Sequence, residues 1–235
     1  DYGVRVCNVP HYATHSVAQF TLALILELAT RAARYCAAVR TDRWQRSPVF
    51  TLLDFTSIEL KGKKLGIIGY GNIGRAVEKM ARGFGLEILI AARPGITSPP
   101  PSGRLLLPEL LRQADVLTLH CPLTPQTQSL INDRTLSLMK PTALLVNTAR
   151  GGLIDEPALI RALREGRLAA AALDVISQEP PGTGHPIIEA TKELDNLIVT
   201  PHTAWSAREA RERLLREVSD NISAFFDGKP RNIVI

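Results

Sequence analysis

The feature that most constrains the fold is a regular alternation of short apolar runs with helical stretches, which begins at Lys64. Each run is rich in Leu, Ile, Val and Ala and is too short for a typical helix. Strands that alternate with helical crossovers are typical of a parallel sheet covered by helices on both faces. The sequence therefore predicts an α/β fold with a doubly wound, Rossmann-type sheet, whose six strands are "KLGIIG", "LEILIA", "VLTL", "ALLV", "AAALD" and "LIVT".

Helices and loops are predicted around this alternation. Apolar positions at three- and four-residue steps predict one long helix from Ser16 to Arg40, with the serine at its start. Another helix is predicted over residues 206–226, followed by a tail. The segments "ARPGITSPPPSG" and "SQEPPGTGHP" are rich in proline and glycine and are expected to be loops.

Composition excludes several classes of protein. The net charge of +5 permits an anionic partner, but arginines and glutamates alternate in "REARERLLREV" and no nucleic-acid-binding motif is visible. A small anionic ligand is expected instead of nucleic acid. The apolar stretch "VAQFTLALILELA" is too short to span a bilayer, so no membrane segment is expected. Because Cys7, Cys36 and Cys121 lack paired spacing, free thiols in a reducing cytoplasm are predicted, and no metal site.

A glycine motif directly follows the first predicted strand. In "GIIGYGNIGRA", Gly69, Gly71 and Gly74 have the spacing G-x-G-x-x-G and precede a predicted helix. The first glycine permits a tight turn, the second lets a pyrophosphate approach the backbone, and the third lets the helix pack on the strand. A tight strand-to-helix turn without a ligand is the alternative, but the strand before and helix after favour dinucleotide binding.

The end of the second predicted strand indicates which dinucleotide is bound. An NAD site has Asp or Glu here to accept hydrogen bonds from the ribose 2′-hydroxyl, whereas this chain has Ala92 followed by Arg93. A guanidinium can bind a 2′-phosphate that a carboxylate would repel. NADP(H) is therefore favoured, with NAD(H) as the alternative if Arg93 is only a solvated loop residue.

Three chemically complementary residues follow the fourth, fifth and sixth predicted strands. If the sheet has the order 3-2-1-4-5-6, the carboxyl ends of these strands are adjacent, and Arg150, Glu179 and His202 meet there. Hydride reduction of a carbonyl requires a proton donor, which a histidine held by a carboxylate can supply. An arginine can bind the carboxylate of a 2-oxo acid. Taken singly, each residue also has a purely structural alternative. Arg150 would bond loop carbonyl oxygens, Glu179 would form part of a turn, and His202 would cap a strand.

Longer stretches of the sequence resemble the D-isomer-specific 2-hydroxyacid dehydrogenase family, and within it the glycerate dehydrogenase or hydroxypyruvate/glyoxylate reductase branch. The matching stretches run in the family's order and cover nearly the whole chain: "SVAQFTLALIL", "GIIGYGNIGRAV", "LHCPLTPQT", "LINDRTLSLMKPTALLVNTARGGLIDE", "ALDVISQEP", "LIVTPHTAW" and "NISAFFDGKPRNIV". The resemblance implies an oxidoreductase that transfers a hydride between a nicotinamide cofactor and a small 2-oxo or 2-hydroxy acid.

The resemblance also implies roles for single residues. Arg150 corresponds to the substrate-orienting arginine, Glu179 to the glutamate of the acid/base pair, and His202 to the proton donor. Asp174 would hold the nicotinamide carboxamide, with a strand-end cap as its alternative role. The other implied dinucleotide contacts are Asn72, Ile73, Cys121, Pro122, Thr148, Ala149, Arg150, His202, Ala204 and Trp205.

Two expectations concern the organisation of the protein. Residues 1–205 are predicted to form a dinucleotide-binding domain that includes the N-terminal helix, and residues 206–235 the C-terminal part of a substrate domain whose N-terminal stretch is missing. By the resemblance, that stretch supplies the other wall of the cleft, so the substrate site of this chain alone is expected to be incomplete. By the same resemblance, the long helix and the arm "RTDRWQRSP" correspond to the family's subunit contact and predict a homodimer, with burial of the helix's apolar face inside one chain as the alternative. A dinucleotide-binding scaffold or corepressor-like relative without turnover is the alternative function, and the residues do not decide which 2-oxo acid is used.

Overall fold

The computed structural model describes residues 4–95 and 100–234, and its centre is a six-stranded parallel sheet in the order β2-β1-β3-β4-β5-β6. Every neighbouring pair is parallel, for example with Leu65 opposite Val116 and Val116 opposite Leu144. The predicted α/β, doubly wound fold is confirmed. The strands are β1 (Lys64–Ile68), β2 (Glu87–Ile90), β3 (Val116–Leu119), β4 (Leu144–Asn147), β5 (Ala170–Leu173) and β6 (Leu197–Val199).

The strand order 3-2-1-4-5-6 was wrong, because β3 lies beside β1 rather than outside β2. In the described part of the chain after β2, only a single-residue bridge extends the sheet, between Ala91 and Leu105. The proline-rich segment before Leu105 cannot supply the N–H groups of a full strand. Residues 96–99 of that predicted loop lie outside the described residues. The strand order therefore changes direction at β1, with β2 on one side of it and β3 on the other. Strands β4, β5 and β6 are adjacent, as expected.

Apolar side chains on both faces explain why the middle of the sheet reads as continuous hydrophobic runs. All residues of β3, β4 and β5 are buried, as is usual for parallel strands covered on two sides. The helices are α1 (Thr14–Thr30), α2 (Ala32–Arg40), α3 (Asn72–Gly83), α4 (Leu107–Gln113), α5 (Asp133–Leu136), α6 (Glu156–Arg164), α7 (Pro186–Thr191) and α8 (Arg208–Phe226). One core packs α4, α6 and α7 on the sheet, and the other packs α1 and α3 on the opposite face.

The single helix predicted from Ser16 to Arg40 is in fact two helices, so that prediction was wrong in its bounds. Arg31 adopts a left-handed conformation (φ 57°), which ends α1, and the Glu27 carboxylate accepts from the backbone N–H of Ala33 to begin α2. The serine does not cap α1, which begins two residues earlier. Ser16 Oγ instead donates to the carbonyl oxygen of Ala204 at 2.6 Å.

The two ends of the described chain pair with each other. Cys7 and Ile233 form an antiparallel bridge, and the amide of Asn221 in α8 donates to the carbonyl oxygen of Asn8. The helix predicted over 206–226 is confirmed, beginning at Arg208. Within the described ranges, none of the helices is both long and apolar enough to cross a membrane. All three cysteines are free, as predicted.

Candidate active site

Three glycines shape the turn after β1, and each is needed for a different reason. Gly69 has φ 92°, and a Cβ there would lie 2.3 Å from the backbone nitrogen of Cys121. A Cβ at Gly74 would lie 2.3 Å from the carbonyl oxygen of Gly69, so α3 packs closely only without a side chain. A Cβ at Gly71 would meet no atom within 4 Å. The turn therefore leaves open space at the start of α3, where backbone N–H groups can bind a pyrophosphate.

A cavity of about 640 Å³ joins this glycine turn to the end of β2. Ala92 is buried where an NAD site would have a carboxylate, and Arg93 is exposed on the cavity wall. Cys121 and Pro122, predicted to lie near the adenine, line the same cavity. Burial raises the pKa of the Cys121 thiol, so this cysteine is kept protonated and serves as an apolar wall.

A second arginine, Arg104, lines the same cavity. Its guanidinium carbon lies 5.0 Å from the centre of the Tyr70 ring, in cation–π geometry, and its Nη1 donates to the carbonyl oxygen of Ala91 at 3.1 Å. These contacts hold the guanidinium at the end of β2, where Arg93 also lies. In the part of the chain that the structure describes, neither arginine forms an ion pair with a carboxylate. Two positive charges therefore remain available to an anion in this cavity.

A second cavity, of about 770 Å³, adjoins the first and shares His120, Cys121 and Pro122 with it. It lies at the carboxyl ends of the strands, where ligands bind in open α/β sheets. Most of the residues predicted to contact the dinucleotide or substrate line it: Ile73, Cys121, Pro122, Thr148, Ala149, Arg150, Asp174, His202, Ala204 and Trp205.

His202 and Glu179 form a direct hydrogen bond beside this cavity. The Nδ1 atom of His202 lies 2.7 Å from Oε2 of Glu179, and the other carboxylate oxygen accepts from the backbone N–H of Ile176 at 2.9 Å. A neutral imidazole bonded in this way carries its proton on Nδ1, which leaves Nε2 as the second reactive nitrogen. Both side chains are partly exposed, at 45% and 32%, so substrate and solvent can reach them.

Arg150 lies on the cavity wall but makes no hydrogen bond to this pair. Its Nη1 donates to the carbonyl oxygen of Ala149 at 2.6 Å. The buried amide of Asn147, at the end of β4, fixes the loop by donating to the Arg150 carbonyl oxygen and accepting from the Ala149 N–H. The hydroxyl of Thr148 lies 2.9 Å from that of Thr21 in α1. The loop backbone is thus rigidly held, while the guanidinium has donors left for a ligand.

The carboxylate of Asp174 organises the loop that carries His202. It accepts from the backbone N–H groups of Thr203 and Ala204 and from the hydroxyl of Thr200 at 2.6–2.9 Å. Its own carbonyl oxygen accepts from the His202 N–H at 2.8 Å. The structure therefore gives Asp174 the capping role named as the alternative, in a position that also lines the cavity.

Two residues predicted to contact the dinucleotide, Asn72 and Trp205, also contact side chains of the N-terminal segment. The Nδ2 atom of Asn72 lies 2.6 Å from Nδ1 of His11, and its Oδ1 accepts from Arg75, which leaves the backbone N–H and the second amide N–H for a pyrophosphate. The ring of Trp205 meets Tyr12 edge-to-face, with centroids 6.3 Å apart. Tyr12 also lines the larger cavity. The N-terminal segment thus contributes side chains to the site.

His120, which lines both cavities, is a partly buried, neutral histidine. Burial lowers its pKa to about 3. Its Nε2 lies 3.0 Å from the Thr118 hydroxyl, and Nδ1 has no partner among the described residues. An imidazole with so low a pKa is not a proton donor near neutral pH, which distinguishes it from His202.

The comparison with known proteins decides the family. A model described as the D-isomer specific 2-hydroxyacid dehydrogenase, NAD binding domain, matches residues 22–204. The chain belongs to this family. Glycerate dehydrogenase of Methylorubrum extorquens is 40% identical over 232 residues, which are 99% of this chain and 72% of that protein. Hydroxypyruvate reductase of Blautia hydrogenotrophica is 39% identical over 99% of this chain and 71% of that protein.

Solved structures agree with this assignment to the dehydrogenase family. A crystal structure of a Thermus thermophilus protein superposes with a TM-score of 0.88 at 40% identity, covering 99% of this chain and 72% of that one. The resemblance inferred from the motifs is therefore confirmed at the level of the family.

The sequence motifs did not indicate three residues that the structure places at or near the site: Arg104, Tyr12 and Glu156. Arg104 follows the proline-rich segment, and only the absence of an acid after β2 could have directed attention to a further cation there. Tyr12 lies far from every motif in sequence. Glu156 stands within "GGLIDEPAL", where it reads as an ordinary first-turn acid of α6.

Proposed function

We propose that this protein reduces a small 2-oxo acid to the corresponding 2-hydroxy acid, with His202 as the proton donor. The observation that carries the proposal is the hydrogen bond between His202 and Glu179 beside a cavity that Arg150 also lines. A histidine whose pKa is lowered to about 3, such as His120, would not support proton donation, whereas a partly exposed imidazole with a carboxylate partner does.

The chain's residues divide the work of the reaction. When bound, a reduced nicotinamide dinucleotide supplies the hydride to the carbonyl carbon. His202 supplies the proton to the oxygen, and Glu179 stabilises the protonated ring and fixes its orientation. The glycine turn at Gly71 binds the pyrophosphate in this proposal, because a Cβ at Gly71 would meet no atom within 4 Å and the start of α3 offers backbone N–H groups.

Arg150 binds the substrate carboxylate in this proposal. Its guanidinium has five N–H donors, of which one is engaged with the Ala149 carbonyl oxygen. A carboxylate can accept two parallel hydrogen bonds from such a group. Binding the carboxylate next to His202 would place the substrate carbonyl between the two side chains and exclude water from the reacting atoms.

NADPH is the proposed reductant, with NADH as the alternative. Two features support this preference: the buried Ala92 has no charge to repel a 2′-phosphate, and Arg93 and Arg104 both line the cavity at the end of β2. Arg104 is the better oriented of the two, since it is held by Tyr70 and the Ala91 carbonyl oxygen.

Hydroxypyruvate and glyoxylate are the proposed substrates. The support comes from the relatives that carry the names glycerate dehydrogenase, hydroxypyruvate reductase and glyoxylate reductase, each 39–40% identical to this chain. Trp205 beside the larger cavity is consistent with a small polar substrate side chain.

The test is oxidation of NADPH by the full-length protein with hydroxypyruvate or glyoxylate, followed by absorbance, alongside dinucleotide binding followed by fluorescence. Turnover that saturates in the 2-oxo acid and is lost in His202→Asn supports the dehydrogenase. Tight dinucleotide binding with no oxidation above background supports instead a scaffold or corepressor-like protein, and overturns the proposal.

We also propose a cytoplasmic location, a homodimer and a two-domain organisation for this protein. The free cysteines fit the reducing cytoplasm. The exposed apolar residues of the arm after α2 support a homodimer. We further propose a division near residue 205 between a dinucleotide-binding domain and a substrate domain. The pairing of residues 6–8 with 232–234 indicates that the first residues belong with the C-terminal side of that division.

A further inference from the structure

A buried carboxylate outside both cavities is bonded to the loop that carries Glu179. Glu156, the first residue of α6, is 6% exposed. Its Oε1 accepts from the backbone N–H of Ser177 at 2.6 Å, and its Oε2 accepts from the Ser177 hydroxyl at 3.0 Å. Burying a carboxylate costs free energy unless hydrogen bonds compensate for the lost water. The two charge-assisted hydrogen bonds to Ser177 compensate in this way, and they indicate that the carboxylate has a specific structural role at that residue.

Ser177 is directly linked to the acid/base pair. The preceding residue, Ile176, donates its backbone N–H to Oε1 of Glu179 at 2.9 Å. The second oxygen of Glu179 lies 2.7 Å from Nδ1 of His202. An unbroken series of contacts thus runs from the buried Glu156 carboxylate through two consecutive peptide N–H groups to the imidazole.

The same loop is packed backbone to backbone against the loop of Arg150. A Cβ at Gly151 would lie 1.9 Å from the carbonyl carbon of Ile176 and 2.4 Å from the nitrogen of Ser177. This contact fixes the distance between the two loops. Because Gly151 has no side chain, the contact alone does not fix the rotation of the peptide between Ile176 and Ser177. The paired hydrogen bonds from Glu156 supply that restraint.

His185 is the other titratable group beside Glu156. Its Nε2 lies 3.8 Å from Oε2 of Glu156, beyond hydrogen-bond distance, and its ring is also buried. Nδ1 of His185 has no partner among the described residues. The carboxylate therefore makes its hydrogen bonds to Ser177 alone, which leaves His185 as a wall of its site.

We propose that Glu156 is a positioning residue, which orients the Glu179 carboxylate toward His202 by holding Ser177. This inference rests on the proposed function of the Glu179–His202 pair. It predicts that loss of the Glu156 hydrogen bonds lets the loop rotate, so that Glu179 no longer selects the Nδ1–H form of the His202 ring.

The decisive readout is the tautomer of the neutral His202 ring, measured by nitrogen-15 NMR of the full-length protein at alkaline pH and assigned with His202→Asn. In Glu156→Ala the proton is expected to move from Nδ1 toward Nε2. In Glu156→Gln the amide oxygen can still accept from the Ser177 N–H and the amide N–H can donate to its hydroxyl, so the wild-type tautomer is expected. Where turnover is present, Glu156→Ala should lower kcat about 10- to 100-fold with little change in KM, and Glu156→Gln should restore it.

Glu165→Ala is the matched control, since Glu165 directly follows the same helix, is exposed, and its carboxylate bonds to Arg167 alone among the described residues. A folded Glu156→Ala with the wild-type tautomer overturns the inference. If Glu156→Ala does not fold, Ser177→Ala removes one of the two hydrogen bonds and should shift the tautomer partially; no shift there also overturns it. Because the NMR readout needs no turnover, a wild-type protein without activity would refute the proposed function while leaving this inference testable.

Discussion

The Nδ1 atom of His202 lies 2.7 Å from Oε2 of Glu179, across a separation of 23 residues in sequence. The fold creates this contact from two neighbouring strands, because Glu179 follows β5 and His202 follows β6. His202 has a left-handed backbone (φ 53°), and its N–H is bonded to the carbonyl oxygen of Asp174. A strained backbone held by specific hydrogen bonds is common where a side chain must be oriented for function.

Replacing either member of this pair tests their proposed roles. His202→Asn removes the proton donor and is expected to lower kcat by about 10² to 10⁴-fold. Glu179→Gln keeps an oxygen that can accept from Nδ1–H but loses the charge, so a smaller decrease is expected. Steady-state NADPH oxidation measures both, and His15→Asn, at an exposed histidine of α1, is the control. Equal kcat for wild type and His202→Asn would exclude the histidine as the proton donor.

The glycine turn gives a test that separates binding from folding. Gly71→Ala places a methyl group in open space, so the free energy of unfolding should change little. The same methyl group occupies the approach of the pyrophosphate and should weaken dinucleotide binding markedly. Gly69→Ala and Gly74→Ala meet backbone atoms at 2.3 Å and should lower the melting temperature as well.

Gly83→Ala is the control for this series, because it lies at the other end of α3 and its Cβ also meets no atom. Isothermal titration with NADPH and thermal unfolding are measured on each variant. If Gly71→Ala binds the dinucleotide as tightly as Gly83→Ala, the glycine turn is not the pyrophosphate site.

Cofactor preference is tested by the two arginines at the end of β2. Arg93→Ala and Arg104→Ala are each expected to weaken NADPH binding by about 1 to 3 kcal/mol and to leave NADH nearly unaffected. The effect is specific because only NADPH has a 2′-phosphate on the adenosine ribose. Arg112→Ala, an exposed arginine in α4, is the matched control. Equal losses for both dinucleotides would contradict the assignment of NADPH.

The sequence predicted which segments are strands but not how they are ordered. Each strand depends on its own run of apolar residues, which is a local property. The position of β3 beside β1 depends on how α4 packs after the proline-rich segment, in which Leu105 alone of the described residues forms a bridge to the chain at the end of β2. The prediction that the carboxyl ends of β4, β5 and β6 are adjacent did not depend on where β3 lies.

Side-chain partners were harder to predict than strands. The apolar periodicity continues across Arg31, and neither glycine nor proline marks the end of α1, so the break was not visible. Ser16 looked like a helix cap but bonds to Ala204, 188 residues away in sequence. Arg104 was missed because its significance comes from Tyr70 and Ala91, which lie beside it only in the folded chain.

The proposed homodimer is tested on the arm after α2. Trp44, Phe50 and Leu53 are exposed by 49%, 91% and 82%, an apolar surface that a subunit contact would cover. Phe50→Asp is expected to convert the dimer to a monomer in sedimentation velocity. Phe84→Asp, at an apolar residue 45% exposed after α3, should leave the dimer intact. A monomeric wild-type protein, or a dimer in Phe50→Asp, would refute this contact.

The lowered pKa of the His120 imidazole predicts how stability depends on pH. Its pKa is lowered from 6.5 to about 3 in the folded protein, so below pH 6.5 the unfolded chain binds a proton that the folded chain does not. The stabilisation is complete above pH 6.5 and is lost as the pH falls toward 3. Between pH 7 and pH 5 this residue should lower the free energy of unfolding by about 1 to 2 kcal/mol. Urea denaturation at both pH values should show a smaller decrease for His120→Gln than for wild type, and His15→Gln should resemble wild type. An equal decrease in wild type and His120→Gln would mean that the ring becomes protonated in the folded state.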